Sequence, residues 1–444
     1  MAVVGGTVIT PAGKSRTNIY VNDGRVALVD GEVHGAERTV DATGLMVMPG
    51  MVDTHVHLMD PGDTSREDFP TGTAAAAANG VTTIVEHTHG HPVRTVRELR
   101  EKLAHLNSRS RVDFGLAAHV WEEHIRDLSE LWVAGVAFFK IFTCTTHGVP
   151  AVEGATMTAV LTEMTRFGGN SLIHCEDESL TAEAELRLRD QGRTDPGLLV
   201  EWRNRAAEEV AVQSVVILAR QAGARATIAH VSTPEVARLV TSARDSGVNV
   251  VAEACPQYFH LREEEVLAAG ALRKFTPPAR IRTDEQAAAM WELLRNRGFN
   301  HLATDHAPST LDQKARGTFW EVHFGLPGLD TTLRLLLEAA AAGNLRYEDV
   351  VALYAEAPAR RYGLFPRKGH LGIGADADIV LVDADRTWVI ENAGIISKAG
   401  WSPYAGRQGR GSIVATYLRG EQVASEGKPL DMFTGRFVAG EGSA

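Results

Sequence analysis

The sequence is poor in cysteine and has neither a long apolar run nor a basic stretch. Its three cysteines, Cys144, Cys175 and Cys255, have no CxxC spacing, so no disulfide framework is predicted. Nowhere do 18 uncharged apolar residues run together, and the amino terminus lacks a basic leader followed by an apolar core. We therefore expect a cytoplasmic protein that does not contact membranes.

Charge and composition restrict the partners further. The formal net charge of -11 is spread along 444 residues, and without a basic stripe we expect no nucleic-acid partner. With 44% hydrophobic residues the chain can bury a large core.

The middle of the chain alternates short β-branched runs with longer helical patterns, which is typical of βα units around a parallel sheet. The eight candidate strands are LMVMPGMVDTHVHL, VTTIVEHT, RVDFGLAAHV, VAFFKIFT, NSLIHCE, RATIAHV, VNVVAEACPQYF and FNHLATDHAP. Amphipathic or alanine-rich segments lie between them. This count predicts an α/β fold of the (β/α)8 TIM barrel type.

The two ends of the chain have a different pattern, with short strands separated by Gly, Asp and Asn turns. We expect residues 1–49 and 366–444 to form one small β-sandwich domain from both termini. Residues 50–365 are then predicted to form the barrel.

Residues that bind metals recur late in the predicted strands. His55 and His57 end the first strand, while Lys140, His174, His230 and Asp305 lie in the fourth, fifth, sixth and eighth. Active-site groups of such barrels lie at the carboxyl ends of the strands, and the i, i+2 histidine pair would point to one face. Lys140 fits only if carbamylated, because an ammonium has no lone pair.

The segments MPGMVDTHVHLMDPG, GVAFFKIFT, SLIHCE, TIAHVSTPE, EACPQYF, TPPAR, ATDHAP and GHLGIGADADIVLVD cover nearly the whole chain. They resemble the cyclic amidohydrolase branch of the amidohydrolase superfamily, which contains allantoinases, hydantoinases, dihydropyrimidinases and dihydroorotases. The resemblance implies metal-dependent hydrolysis of the C–N bond of a cyclic amide, ureide or imide. It also implies a homo-oligomer, either a dimer or a homotetramer.

The resemblance further implies a centre of two divalent metal ions. His55, His57 and Asp305 would bind one, His174 and His230 the other, and carbamylated Lys140 would bridge them. Zinc is the usual choice for such ligands, although manganese or cobalt would be accommodated. A hydroxide shared by the metals would attack the amide, and Asp305 would pass its proton to the leaving nitrogen.

The stretch EHTHGHP, residues 86–92, departs from the relatives at the end of the second strand. We expect His87 and His89 to lie near the barrel mouth and contact the substrate; the alternative is an ordinary hydrogen-bonded loop. We do not expect a third metal there, because no additional carboxylate or cysteine spacing accompanies these histidines.

The substrate is left open. Dihydroorotases place an Arg where this chain has Met59, so a carboxylated ring would lose its anchor. Thr143 and Cys144, in the loop after the bridging lysine, are expected to contact the substrate. Thr276 is expected to contact the ring through its main chain, and His306 to contact substrate or orient Asp305. The alternatives are a hydrolase of a specialised imide or other ring, and a non-catalytic assembly protein related to dihydropyrimidinase.

Overall fold

The computed structural model describes residues 1–32 and 34–443. A ring of parallel strands forms the centre. Its members are β8 (Met51–Val56), β9 (Val81–Glu86), β10 (Asp113–Leu116), β11 (Ala118–His119), β12 (Phe139–Phe142), β13 (Asn170–His174), β14 (Arg225–Ile228), β15 (Val250–Ala254) and β16 (His301–Leu302).

The third predicted strand is broken in two. β10 pairs with β9 whereas β11 pairs with β12, and the Ala117 amide between them donates to the Glu86 carbonyl. The ring closes where the His57 amide donates to the His306 carbonyl at 2.8 Å. The eight strand positions therefore meet at one carboxyl-terminal rim.

Helices cover the ring where apolar residues recur at helical spacing. The long α7 begins after Asn204, whose side chain accepts from the Ala207 amide, and ends at Gly223 with φ 67°. The helices are α1 (Phe69–Ala78), α2 (Val96–Leu106), α3 (Leu128–Val133), α4 (Gly154–Arg166), α5 (Glu178–Asp190), α6 (Leu198–Trp202), α7 (Arg205–Ala222), α8 (Pro234–Asp245), α9 (Gln257–His260), α10 (Glu264–Ala269), α11 (Asp284–Arg295), α12 (Leu311–Ala315), α13 (Thr332–Ala341), α14 (Tyr347–Val351) and α15 (Ala357–Arg361).

Two further sheets are built from both ends of the chain. One has the order β5-β4-β1-β6 and the other β20-β19-β18-β17-β7-β2-β3. Their strands are β1 (Ala2–Val4), β2 (Thr7–Thr10), β3 (Gly13–Arg16), β4 (Asn18–Asn22), β5 (Arg25–Asp30), β6 (Thr39–Asp41), β7 (Met46–Pro49), β17 (Ile379–Val389), β18 (Gln408–Leu418), β19 (Glu421–Ser425) and β20 (Lys428–Pro429).

The chain passes between the barrel and the terminal sheets differently at its amino and carboxyl ends. Gly50 separates β7, which pairs with β17, from β8, and a side chain at Gly50 would collide with Thr82. The carboxyl-terminal segment returns to the barrel, where the Val438 amide donates to the Phe114 carbonyl at 2.8 Å. The last residues of the predicted 366–444 segment thus pack on β10 instead of on the terminal sheets. Among the described residues no helix is long and apolar enough to span a membrane.

Candidate metal centre

All six residues predicted as metal ligands line one cavity at the carboxyl ends of the barrel strands. The cavity has a volume of about 300 Å³. These residues are His55, His57, Lys140, His174, His230 and Asp305. Distant parts of the sequence therefore place a lysine, a carboxylate and four imidazoles around one space.

The first group is formed by the β8 histidines and Asp305. Asp305 Oδ1 lies 3.2 Å from His55 Nε2 and 3.3 Å from His57 Nε2. Lys140 Nζ lies 3.3 Å from the same His55 nitrogen. His230 also belongs here, since one of its nitrogens lies within 4.8 Å of ligand atoms of His55 and Asp305.

The second group is the pair His174 and His230. His174 Nδ1 and His230 Nε2 are 3.0 Å apart. Burial lowers the pKa of both imidazoles. Neutral imidazoles are the form that binds metal ions.

Carboxylates and a carbonyl fix the orientation of three of these rings. His55 Nδ1 lies 2.7 Å from Glu253, His174 Nε2 lies 3.0 Å from Glu176, and His57 Nδ1 lies 2.9 Å from the His87 carbonyl. A ring that donates from one nitrogen keeps its lone pair on the other, which faces the cavity. Neither acid stands out in the sequence, although the segments EACPQYF and SLIHCE contain them.

Both acids are buried yet ionised. Burial opposes the charge of Glu253, but the charge of His55 and hydrogen bonds from His301 and His55 hold its pKa below the ordinary value. Burial likewise opposes the charge of Glu176, and Arg203, His174 and Arg280 together lower its pKa. The Glu253 carboxylate also accepts from the His230 amide at 3.0 Å, so it links both groups of ligands.

Lys140 has an unusual environment for a lysine. Its side chain is 1% exposed, and burial lowers its pKa to about 8, although the charges of Glu253 and Asp305 oppose this shift. Within the described chain no carboxylate forms an ion pair with it. More of the neutral amine is therefore present near neutral pH than for an ordinary lysine.

The backbone is strained at two of the ligand-type residues. His230 has φ 37° and Asp305 has φ 51°, in the left-handed region that side chains disfavour. Such conformations cost about 1–3 kcal/mol and cluster at functional sites. No pattern in the sequence indicates this strain.

The predicted substrate contacts divide into two groups. His89 and Thr276 line the cavity, whereas His87 is buried behind it against His55 and His57. Thr276 Oγ1 donates to Glu176 at 2.6 Å.

Thr143, Cys144 and His306 are not among the cavity-lining residues. Thr143 Oγ1 is used by the Glu176 main chain, and the Cys144 sulfur accepts from Arg203. His306 Nδ1 accepts from the amides of Gly328 and Leu329. Thr143 Oγ1, the Cys144 sulfur and His306 Nδ1 are thus engaged by the protein, whereas His306 Nε2 makes no hydrogen bond to the described residues. Since none of the three residues lines the cavity, the geometry does not favour them as substrate contacts.

Arg66 also lines the cavity, although no pattern in the sequence singles it out. Its side chain is 9% exposed, and it donates to the Pro308 carbonyl at 3.0 Å and to Ser309 Oγ at 3.1 Å. None of the described carboxylates forms an ion pair with it. Burial lowers its pKa to about 10, so the guanidinium stays charged at neutral pH.

The donor set fits divalent metal ions. Four imidazoles and one carboxylate are the nitrogen and oxygen ligands that zinc and similar ions bind. The close approach of His174 Nδ1 to His230 Nε2, with the other His174 nitrogen donating to Glu176, leaves lone pairs that a cation would satisfy.

Comparison with known proteins gives the class. The amidohydrolase family model matches residues 46–423, and the chain belongs to this family. It is 35% identical over 99% of its length to an allantoinase of Rubrobacter xylanophilus, of which 97% is covered. It is 30% identical over 97% of its length to an L-hydantoinase of Paenarthrobacter aurescens, of which 96% is covered.

A solved structure agrees with both the fold and the branch. The L-hydantoinase (dihydropyrimidinase) from Arthrobacter aurescens superimposes with a TM-score of 0.93 at 29% identity, covering 99% of each chain. The predicted TIM barrel with a β-sandwich and the predicted cyclic amidohydrolase branch are thereby confirmed.

Proposed function

We propose that the protein is an enzyme that hydrolyses the C–N bond of a cyclic amide or ureide. The observation that carries this proposal is the convergence of six metal-ligand-type residues on one cavity at the rim of the barrel. The relatives named allantoinase and L-hydantoinase, which align with nearly the whole chain, support a ureide as the first candidate ring.

The proposed cofactor is a pair of divalent metal ions, zinc first. His55, His57 and Asp305 would hold one, His174 and His230 the other, and Lys140 would bridge them after carbamylation by CO2. When bound, two such ions supply an activated water near neutral pH and polarise the carbonyl of the substrate. The buried amine of Lys140, surrounded by imidazoles, supports the carbamate assignment.

The chain itself supplies proton transfer and orientation. Burial opposes the charge of Asp305, but His55, His57 and Lys140 together lower its pKa, so it is a carboxylate at neutral pH. A carboxylate at this position can accept a proton from the attacking water and deliver it to the leaving ring nitrogen. Glu253 and Glu176 keep the imidazoles oriented throughout.

Arg66 favours a second candidate, a ring that carries a carboxylate. Met59 and Arg66 both line the cavity, so the absence of an arginine at position 59 does not leave the cavity without a guanidinium. A guanidinium without an acidic partner is suited to bind a carboxylate. A specialised imide remains within the same reaction class.

The test is a panel of rings given to zinc-loaded protein: allantoin, hydantoin, dihydrouracil, dihydroorotate and simple imides. Ring opening, followed by mass spectrometry, is expected for at least one ureide. A folded, two-metal protein that opens none of these rings would contradict the proposed substrate class. Protein that holds no metal would favour the non-catalytic assembly alternative. Light scattering on the same sample tests the predicted dimer or tetramer.

A further inference from the structure

A second histidine cluster lies beside the proposed two-metal centre. His87 and His89 follow the end of β9, and His119 ends the neighbouring β11. One ring nitrogen of each lies within 4.8 Å of those of the other two. We propose that His87, His89 and His119 form a third metal-binding site, which takes a single divalent cation such as Zn²⁺.

The ring nitrogens of this cluster lack hydrogen-bond partners, although His87 also lies within 4.8 Å of ligand atoms of His55 and His57. Both nitrogens of all three rings are buried, and none makes a hydrogen bond within the described parts of the chain. A buried polar atom left without a partner is destabilising, because it has lost its hydrogen bonds to water. One cation coordinated by one nitrogen of each ring would satisfy three of these atoms at once.

The spacing of the rings suits a shared ion. The ring centroids are 6.1 Å apart for His87 and His89, 6.1 Å for His87 and His119, and 5.5 Å for His89 and His119. The histidine pairs of the proposed two-metal centre are somewhat closer, at 5.3 Å for His55 and His57 and 4.7 Å for His174 and His230. Zinc–nitrogen bonds of about 2.0–2.1 Å in a tetrahedron place the nitrogens about 3.4 Å apart. Inward movement of each ring by under about 1 Å would close the site.

The cluster has no acidic member. The nearby Glu86 carboxylate is engaged by Lys102 at 2.5 Å and by the Leu58 amide at 3.3 Å. Three neutral imidazoles would leave the ion its full charge and an open coordination position. Because His89 lines the cavity, that position would be available to an oxygen of water or of the substrate.

The test counts zinc in intact protein. Protein expressed with zinc chloride and then desalted is analysed by inductively coupled plasma mass spectrometry. With the two-metal centre filled, we expect about three zinc ions per chain in the unchanged protein and about two in His89→Ala and in His119→Ala. His91→Ala is the matched control, since this exposed histidine lies in the same loop, and it should keep about three.

A crystal of the zinc-loaded protein supplies a direct readout. An anomalous peak at the zinc edge between the three rings is expected, and it should vanish in His119→Ala. Two ions per chain in the unchanged protein, or an unchanged count in folded His119→Ala and His89→Ala, would overturn the third site. If His119→Ala does not fold, the zinc counts of His119→Gln and His89→Ala decide the test. His89 is only half-buried, so its replacement should disturb folding less.

Failure of this site is distinguishable from failure of the proposed function. Lys140→Ala should lose the two ions of the main centre and keep the one between His87, His89 and His119. If His119→Ala also lost the ions of the main centre while folded, His119 would support that centre and the third site would be wrong.

Discussion

Lys140 and Lys368 are both buried, and they differ in what surrounds them. Lys140 lines the cavity among imidazoles, whereas Lys368 packs at the amino end of β10 among carboxylates. Burial lowers the pKa of Lys140 to about 8. The same burial acts on Lys368, but the charges of Asp378, Asp113 and Asp376 outweigh it and raise the pKa.

The carboxylate cluster around Lys368 connects two parts of the molecule. Lys368 Nζ lies 2.6 Å from Asp113 in β10, 2.9 Å from Asp376 and 2.8 Å from Asp378, which precedes β17. Arg419 also pairs with Asp113. A lysine with this many acidic partners stays charged and holds the barrel against the terminal sheets.

The surroundings of Lys368 suit a role in stability, and those of Lys140 suit a role in the reaction. A buried charge that is fully paired is inert, whereas a buried amine without an ion pair can lose its proton and react. In TIM barrels the carboxyl-terminal face carries the reaction and the amino-terminal face carries stability. The following substitutions test this division, from the largest expected effect on turnover to the smallest.

Lys140→Ala should abolish turnover and release both ions of the main centre. Removing the bridge leaves two cations with too few anionic ligands to offset their repulsion. Metal analysis and assay of the best ring substrate measure both effects, with the exposed Lys14→Ala as control. Added short carboxylic acids should restore part of the activity. Two bound metals with normal turnover and no rescue would show that Lys140 is not a bridge.

Asp305→Asn should retain much of the metal and lower the turnover number by about 10²–10⁴-fold, the usual scale of general acid–base catalysis. An amide oxygen can still approach a metal, but it cannot accept the proton. Steady-state kinetics with metal analysis measure this, and Asp312→Asn, on the exposed surface nearby, is the control. Near-normal turnover would remove Asp305 from proton transfer.

Glu253→Gln should weaken zinc binding by about 10–100-fold, as loss of an orienting partner typically does. Glu253 holds the His55 ring at 2.7 Å and the His230 amide at 3.0 Å, so one substitution disturbs both groups of ligands. Competition with a chromogenic chelator measures the affinity. Glu441→Gln, at an exposed position, serves as control. Equal zinc affinities in the two variants would show that Glu253 does not orient the metal ligands.

Glu253 also shows how far the sequence could predict the site. The barrel and the convergence of the six ligand-type residues could be predicted because strand ends and histidine spacing are local patterns. The carboxylates that orient the rings could not, because nothing local distinguishes Glu253 from an ordinary strand residue. His119 was missed for the same reason: a lone histidine at a strand end has meaning only when the fold brings it to His87 and His89. The assignment of these residues to metal ions stays a prediction.

Lys368→Met should leave turnover per folded chain and metal content unchanged while lowering the free energy of unfolding by about 3–5 kcal/mol, because three buried carboxylates lose their common partner.

The raised pKa of Lys368 also determines how the free energy of unfolding depends on pH. Its stabilisation is fully present below the unfolded value of 10.5 and is lost as the pH rises through the folded value. Denaturant unfolding at neutral and alkaline pH measures both effects, and the variant should lack the alkaline loss. Lys368→Arg, which keeps the charge, should lose less. If Lys368→Met folded but had no turnover, the division between the two lysines would be wrong, because the ion-paired lysine would also be required for the reaction.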